Sequence, residues 1–310
     1  MKITVLGCGA IGQLWLAALS QQNPSQQPHH IQAWLKVPQP FFSVHIANFQ
    51  GKVFKRSFPA NNEKHLAESE LLLVCLKAWQ VPDAINHLAS QLSPHCTILL
   101  LHNGMGTQDK LFSLPNPILA GVTTHAAYQE NGVVYHKSQG ITHLGSTAFE
   151  PDTKKADAEK LSFLADILHR ALPDVTWLND IDTIRWLKLA ANCVINPLTA
   201  LYDCKNGELS NHMTQVYSLC DEIHQVMEHD GIQLTKQMVI DYVMAVIDQT
   251  SENSSSMRQD IRADRRTEID YITGFLLDRA KMHDLVLPEN THIYRYIKSR
   301  EEEYKRLKPH

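Results

Sequence analysis

The sequence predicts a doubly wound α/β domain followed by an all-α domain. Three observations carry that prediction. A glycine-rich turn follows the first apolar strand and opens a helix. Strand and helix patterns then alternate to about residue 125. After Asn179 only helical periodicity remains.

In order, Lys2–Leu6 is a short aliphatic and β-branched strand, and Ile11–Leu19 carries apolar residues at helical spacing. Gln21–His30 is a polar loop with Pro24 and Pro28 as breakers, and Ile31–Leu35 reads as a second strand. Val44–Phe58, with Gln50 and Gly51 near its middle, suggests a β-hairpin. Leu71–Leu76 is an unbroken aliphatic run, as expected of a parallel strand buried on both faces. Val81–Leu92 reads as a helix, and Thr97–Leu101 and Ile118–Thr123 read as further buried strands. Val133–Tyr135 and Ile141–Leu144 are expected as antiparallel additions at a sheet edge. The charged stretch Thr147–Lys160 could pass for a linker. However, Ala158–Leu172 is amphipathic and Val175–Leu178 is strand-like, so both go with the first domain. The later helices are expected at Ile181–Tyr202, Thr214–Asp230, Thr235–Thr250, Met257–His283 and Glu289–Leu307. The domains are therefore set at 1–179 and 180–310.

Composition narrows the class. The 310 residues give room for one large domain or two ordinary ones. Hydrophobic content of 44% and charged content of 20% suit a soluble globular protein. A net charge of -4 offers no electrostatic reason to expect nucleic acid or an anionic membrane. Cys8, Cys75, Cys96, Cys193, Cys204 and Cys220 form no CxxC pair and mostly sit in apolar runs, so they read as reduced core thiols of a cytosolic protein. The histidines are scattered, without HExxH-like spacing, and no metal site is expected. The N-terminal apolar run is broken at once by glycines and is not a signal peptide. No apolar run approaches the roughly 20 residues of a membrane helix. The expectation is a cytoplasmic protein.

Gly7-Cys8-Gly9-Ala10-Ile11-Gly12 is GxGxxG in a strand–helix setting, which makes the first domain Rossmann-type and nucleotide-binding. Gly7 permits the tight turn, Gly9 lets a pyrophosphate approach the backbone, and Gly12 lets helix and strand pack closely. An NAD site places Asp or Glu at the end of the second strand to bond the ribose 2′-hydroxyl. Here Ala33-Trp34-Leu35 is followed by Lys36. A cation attracts the 2′-phosphate that a carboxylate repels, so the cofactor is expected to be NADP(H), unless Lys36 is an ordinary surface lysine.

The helix Ile181–Tyr202 is apolar nearly all round, except that Lys188, Asn192 and Asn196 recur every four residues on one face. A buried lysine beside amides needs partners. Pro197 is expected to bend or end the helix near Asn196. Lysine beside asparagines suits carbonyl reduction: the ammonium protonates the oxygen when hydride reaches the carbon, and neutral amides hold the substrate.

Asn103, after the strand Thr97–Leu101, is a turn residue or a ligand contact. Lys77, at the end of another buried strand, is solvated or part of the same edge. Ser254–Ser256 reads as the start of a long helix carrying Glu268, with the serines capping it, holding a substrate carboxylate, or both. Glu268 is either an exposed partner of Arg265 or an inward carboxylate.

GCGAIG, LLLVCLKAWQ, LLLHNGMGTQ, WLKLAANCVINPLTAL, NGEL, SSSMRQDI and TEIDYITGFLL together resemble ketopantoate reductase (2-dehydropantoate 2-reductase), over almost the whole chain. The resemblance implies a helical domain similar to that of 6-phosphogluconate dehydrogenase, with substrate in the cleft between domains. It also implies NADPH-dependent reduction of 2-dehydropantoate to (R)-pantoate, a step toward pantothenate and coenzyme A. Lys188 would then be the proton donor. Asn103, Asn192, Asn196, Asn206 and Ser256 would contact the keto acid. Glu268 would face the active site and touch the cofactor or the substrate hydroxyl. Residues 7–12, Lys77, Asn103 and Ala127 would line NADPH. Lys36 stands where similar members often carry arginine, keeping the charge without the planar fork.

Two other functions fit the same residues: an NADP-dependent reductase of another small 2-keto acid, and an NADPH sensor without turnover. A sensor has no need of a proton donor. The sequence leaves monomer and dimer both open.

Overall fold

The computed structural model describes residues 1–21, 28–111, 113–147 and 160–307. Most of the loop expected at Gln21–His30, and the stretch 148–159 with the expected helix start at Ala158, lie outside the described residues. The chain divides into two compact units: Met1–His102 with Thr107–Ile181, and Asn103–Gly106 with Asp182–His310.

The first unit is built on a seven-stranded sheet. Its strands are β1 (Lys2–Leu6), β2 (His30–Trp34), β5 (Leu71–Val74), β6 (Thr97–Leu100), β7 (Ile118–Thr123), β10 (Thr142–Gly145) and β11 (Val175–Trp177), in the order β11-β10-β7-β6-β5-β1-β2. Pairing is parallel except between β7 and β10. Leu71–Val74 and Thr97–Leu100 are buried at every position, as two covered faces require. Strand order reverses between β1 and β5, so the two chain segments leaving their carboxyl ends part there and open a crevice.

Helix α1 (Ala10–Leu19) is buried from Gly12 to Leu19. One sheet cannot cover a helix that is apolar all round. The other side is closed by a second, four-stranded sheet of order β4-β3-β9-β8, formed by β3 (Phe41–Ala47), β4 (Val53–Pro59), β8 (Ala126–Glu130) and β9 (Val133–Ser138). Trp15, Leu16 and Leu19 pack in one core with Val44, Ile46, Phe58 and Val134. The hairpin read from Val44–Phe58 is present as β3–β4. The expectation that Val133–Tyr135 adds to the edge of the main sheet is corrected: it lies in β9, paired with β8 and β3. Thr142–Gly145, by contrast, does join the main sheet antiparallel to β7. Short α2 (Glu63–Ala67), α3 (Val81–Leu88) and α4 (Phe163–Ala171) complete the layers.

The second unit is helical. Its centre is α5 (Asp182–Tyr202), packed by α6 (Met213–His229), α7 (Lys236–Gln249), α8 (Ser256–Arg262) and α10 (Pro288–Leu307). Pro197 does not end α5, which runs on to Tyr202. The ring removes one backbone donor, and two residues on the Thr199 hydroxyl donates to the Ile195 carbonyl at 2.6 Å.

The single helix expected over Met257–His283 is also corrected. It is α8, a bend, a 3-10 turn at Ile269–Tyr271 and α9 (Thr273–Met282). Asp264 takes φ 52, and the Arg265 amide folds back to the Asp260 carbonyl at 2.8 Å. Without glycine or proline there, the sequence gives little sign of a stop.

Trp15 is fully buried between the two sheets of the first unit. Trp15→Ala should cost about 3–5 kcal/mol of unfolding free energy, read from urea denaturation followed by circular dichroism.

Candidate active site

The glycine corner uses its residues for separate tasks. Gly7 stands at φ 95, and its amide donates to the Trp34 carbonyl at 3.3 Å, tying the ends of β1 and β2 together. A Cβ on Gly12 would lie 1.9 Å from the Gly7 carbonyl oxygen, so helix and turn meet only because that position is bare. A Cβ on Gly9 would meet no atom within 4 Å. Gly9 also caps α1, whose first turn holds no acidic side chain. Open space above unpaired helix amides, with no competing carboxylate in that turn, fits an anionic group such as a pyrophosphate. Ala10 and Ile11 are half-buried in that first turn. Cys8 is a poor nucleophile, its thiol pushed up to about 12 by burial.

Other expected cofactor residues flank this corner. Lys77 follows β5, which pairs directly with β1, and caps the 3-10 turn Ala78–Gln80. Lys36 is exposed, two residues beyond β2. Ala127 is the half-buried second residue of β8, at a register irregularity.

The second unit carries the charged centre. Lys188 is half-buried on α5. Burial lowers its pKa from 10.5 to about 8, and the negative charge of Glu268 opposes that fall. Glu268 is only 4% exposed, which decides its orientation: it is the inward carboxylate, while Arg265 pairs with Asp260 at 3.0 Å. The Asn103 side chain donates to Glu268 Oε2 at 3.4 Å. Lys188, Glu268 and Asn103 thus form one group.

Asn192 lies one turn along α5 from Lys188, and its Nδ2 is buried without a hydrogen-bond partner. Such an orphaned donor is costly unless a ligand oxygen meets it. Asn196, a turn further, is buried. Ser255, not Ser256, caps α8, accepting from the Arg258 amide at 3.1 Å. That leaves Ser256 half-buried at the first helical position. Asn206 is bonded to the Thr250–Asn253 turn, through Nδ2 to Thr250 Oγ1 (2.9 Å) and its amide to the Asn253 carbonyl (3.1 Å). Its Oδ1 is buried without a partner.

Sequence reading missed the residues that hold this group in place. Buried Glu301 of α10 accepts from both the amide and the hydroxyl of Thr267, each at 2.7 Å, immediately before Glu268. The Tyr271 carbonyl accepts from the Met105 amide at 2.8 Å, and a Cβ on Gly104 would lie 2.3 Å from that same oxygen. One segment, 267–271, therefore anchors both the glutamate and the Asn103 turn. A signal for Glu301 existed: it continues the four-residue spacing of Ile293 and Ile297, a carboxylate on an apolar stripe. Among the described residues, no group of three or more His, Cys, Asp or Glu could hold a metal ion, and no helix is long and apolar enough to cross a membrane.

A dinucleotide-type sheet with a bare glycine corner, and a helical unit centred on a desolvated lysine, define a two-domain oxidoreductase. Residues 3–148 match the family described as Ketopantoate reductase PanE/ApbA, and residues 180–301 match Ketopantoate reductase PanE/ApbA C terminal. A 2-dehydropantoate 2-reductase of Shigella flexneri is 51% identical over 307 residues, spanning 99% of this chain and 97% of that protein. The chain belongs to the ketopantoate reductase family. Among solved structures, a ternary complex of D-mandelate dehydrogenase with NADH and anilino(oxo)acetate aligns with a TM-score of 0.85 at 22% identity, covering 98% of this chain and 100% of that one. A dimeric ketopantoate reductase from Staphylococcus aureus aligns at 0.81 and 19% identity, with the same coverage. At those identities the structures speak for the fold.

The two glycines should separate in experiment. Gly12→Ala should lose about 1–3 kcal/mol of stability through the clash with the Gly7 carbonyl. Gly9→Ala should keep the melting temperature within about 1 °C, since its Cβ meets no protein atom, yet weaken dinucleotide binding about tenfold or more. Calorimetric melting and titration on the two variants check the split.

Proposed function

We propose that this chain reduces 2-dehydropantoate to (R)-pantoate with NADPH, a step toward pantothenate and coenzyme A, as a cytoplasmic enzyme with Lys188 as proton donor. The observation that carries the reading is a Lys188 desolvated by burial that feels the charge of buried, Asn103-bonded Glu268. The S. flexneri relative's name supports the substrate.

The glycine corner would hold the pyrophosphate on the α1 amides, Lys36 would meet the 2′-phosphate, and Lys77 and Ala127 would line the same cofactor. When bound, the reduced nicotinamide supplies hydride to the carbonyl carbon of the keto acid. Lys188 does the rest of the chemistry. Its positive charge stabilises the oxygen as negative charge grows there, and its proton converts the alkoxide to the hydroxyl. Glu268 keeps the lysine protonated before the reaction and fixes the Asn103 amide. The unpaired Asn192 Nδ2 donates to a substrate oxygen, and Asn196 and Asn206 add amides. The Ser256 hydroxyl meets the carboxylate.

A second reading, reduction of a different small 2-keto acid, draws on the fold match to a D-mandelate dehydrogenase. NADPH oxidation followed at 340 nm separates them. Ketopantoate should give a kcat/KM at least about tenfold above other branched or aromatic 2-keto acids, and a better competitor would favour the second reading.

Lys188→Ala should lower kcat by about 10²–10⁴-fold while leaving the NADPH dissociation constant within twofold. The acid must be protonated to act, so kcat should fall as pH rises through about 8, where the lysine loses its proton. Glu268→Gln removes the charge that raises the lysine pKa, so the alkaline limb should move to lower pH. A pH–rate profile in which the variant's limb stays in place would separate Glu268 from the lysine's titration.

A further inference from the structure

The chain leaves β2 in a loop, Leu35–Pro40, whose residues Lys36 to Pro40 are all exposed. Beyond Leu35, which packs against the core, the loop contributes no side chain to it, and packing gives Lys36–Pro40 no reason to be ordered. Its neck is nevertheless closed by two adjacent residues: the Ala60 amide donates to the Pro40 carbonyl (2.9 Å), and Asn61 makes the remaining bonds. The Asn61 amide donates to the Ala33 carbonyl (3.1 Å), and its Nδ2 donates to the Leu35 carbonyl (3.0 Å). Its Oδ1 accepts from the Gln39 amide (3.3 Å). These bonds fall on both sides of Lys36 and leave the lysine side chain alone. Asn61 stands at φ 50, a left-handed conformation that asparagine tolerates better than most residues. It is kept there by buried Gln32, which bonds the Asn62 amide (2.9 Å) and carbonyl (3.2 Å). The loop departs next to the glycine corner, since Trp34 is in register with Leu6 and its carbonyl accepts from Gly7.

We infer that Asn61 is a positioning residue that holds Lys36 ready for the 2′-phosphate of NADPH and so sets the preference for NADPH over NADH. The inference rests on the NADPH reading above. Lysine lacks the arginine fork, so a fixed backbone must supply the orientation that the side chain does not. Ordering the loop beforehand also removes part of the entropy lost on binding.

The test measures dissociation constants of NADPH and NADH by titration calorimetry on the whole chain, without keto acid. The proteins are wild type, Asn61→Gly, Lys36→Ala and the double variant. Glycine accepts φ 50 and keeps the bond to Ala33, losing only the side-chain bonds to Leu35 and Gln39. Asn61→Gly should weaken NADPH by about five- to tenfold and NADH by less than about twofold, with no further loss once Lys36 is alanine. Equal weakening of both nucleotides, no weakening of either, or the same loss in the Lys36→Ala background would each overturn the role of Asn61. If Lys36→Ala itself leaves the NADPH-to-NADH ratio unchanged, the phosphate role of Lys36 fails and the inference falls with it. If Lys36→Ala lowers the ratio and Asn61→Gly does not, only the role of Asn61 fails. Should Asn61→Gly not fold, Asn61→Asp serves in its place: it tolerates the same φ and loses the bond to Leu35. It also sets a carboxylate on the loop, and it should lower the NADPH-to-NADH ratio; an unchanged ratio would count against Asn61.

Discussion

A positive charge inside the helical unit is the constraint on which the rest depends. Removing an ammonium from water favours the neutral amine, and only a nearby carboxylate makes the protonated form persist. Glu268 supplies that charge from a site that is itself almost sealed from solvent. The carboxylate therefore needs a rigid mount. Thr267 gives Glu301 two hydrogen bonds, and Lys298 adds a third at 2.9 Å, so the mount is a satisfied polar network and not a lone buried acid. The same segment grips the Asn103 turn through the Tyr271 carbonyl. Helix α8 is fixed separately: Ser255 lies 2.7 Å from the Thr199 hydroxyl of α5, and Arg262 and Arg258 hold the Asp203 carboxyl far below the usual carboxylate range.

The two units solve their binding problems with different materials. At the glycine corner the sequence contributes mainly by leaving side chains out, so that backbone amides open the helix. Gly12 is bare because the chain passes too close, whereas a Cβ on Gly9 would meet no atom within 4 Å. In the helical unit the polar stripe is carried by side chains on an otherwise apolar helix, and burial lowers the pKa of its lysine. This is why α1 needs cover on two sides. A helix whose N-terminus must stay rigid and open gains from being clamped along its length, and the second sheet supplies the clamp.

Much of this was legible in the residues. Runs such as Leu71–Leu76 and the spacing of Lys188, Asn192 and Asn196 gave strand, helix and polar face directly, because period and composition agree there. What escaped were features set by tertiary contact. The β3–β4 hairpin was legible, but its pairing with β8 and β9 into a second sheet over α1 was not, since that pairing joins distant segments. The break after Arg262 has no glycine or proline to mark it; a backward hydrogen bond to Asp260 makes it. Glu301 sits among three consecutive glutamates, and only its place on the Ile293–Ile297 stripe sets it apart. Asn61 could not be read at all, since its partners lie more than twenty residues back, around the end of β2.

A lysine pKa near 8 is a compromise between two failures. Burial moves the group toward the neutral amine, which has no proton to give and no charge to meet an alkoxide. A carboxylate that compensated burial fully would return the group toward its ordinary 10.5 and make it a weaker acid. The intermediate value requires Glu268 to act at a fixed strength, and a side chain free to swing could not do so. The bonds from Thr267 to Glu301 anchor the residue immediately before that carboxylate. Nothing in that arrangement depends on what the keto acid carries beyond its carbonyl. Under the proposed reading, choice among 2-keto acids then falls to other polar groups of the helical unit, among which Asn192 Nδ2 and Asn206 Oδ1 are buried without a protein partner.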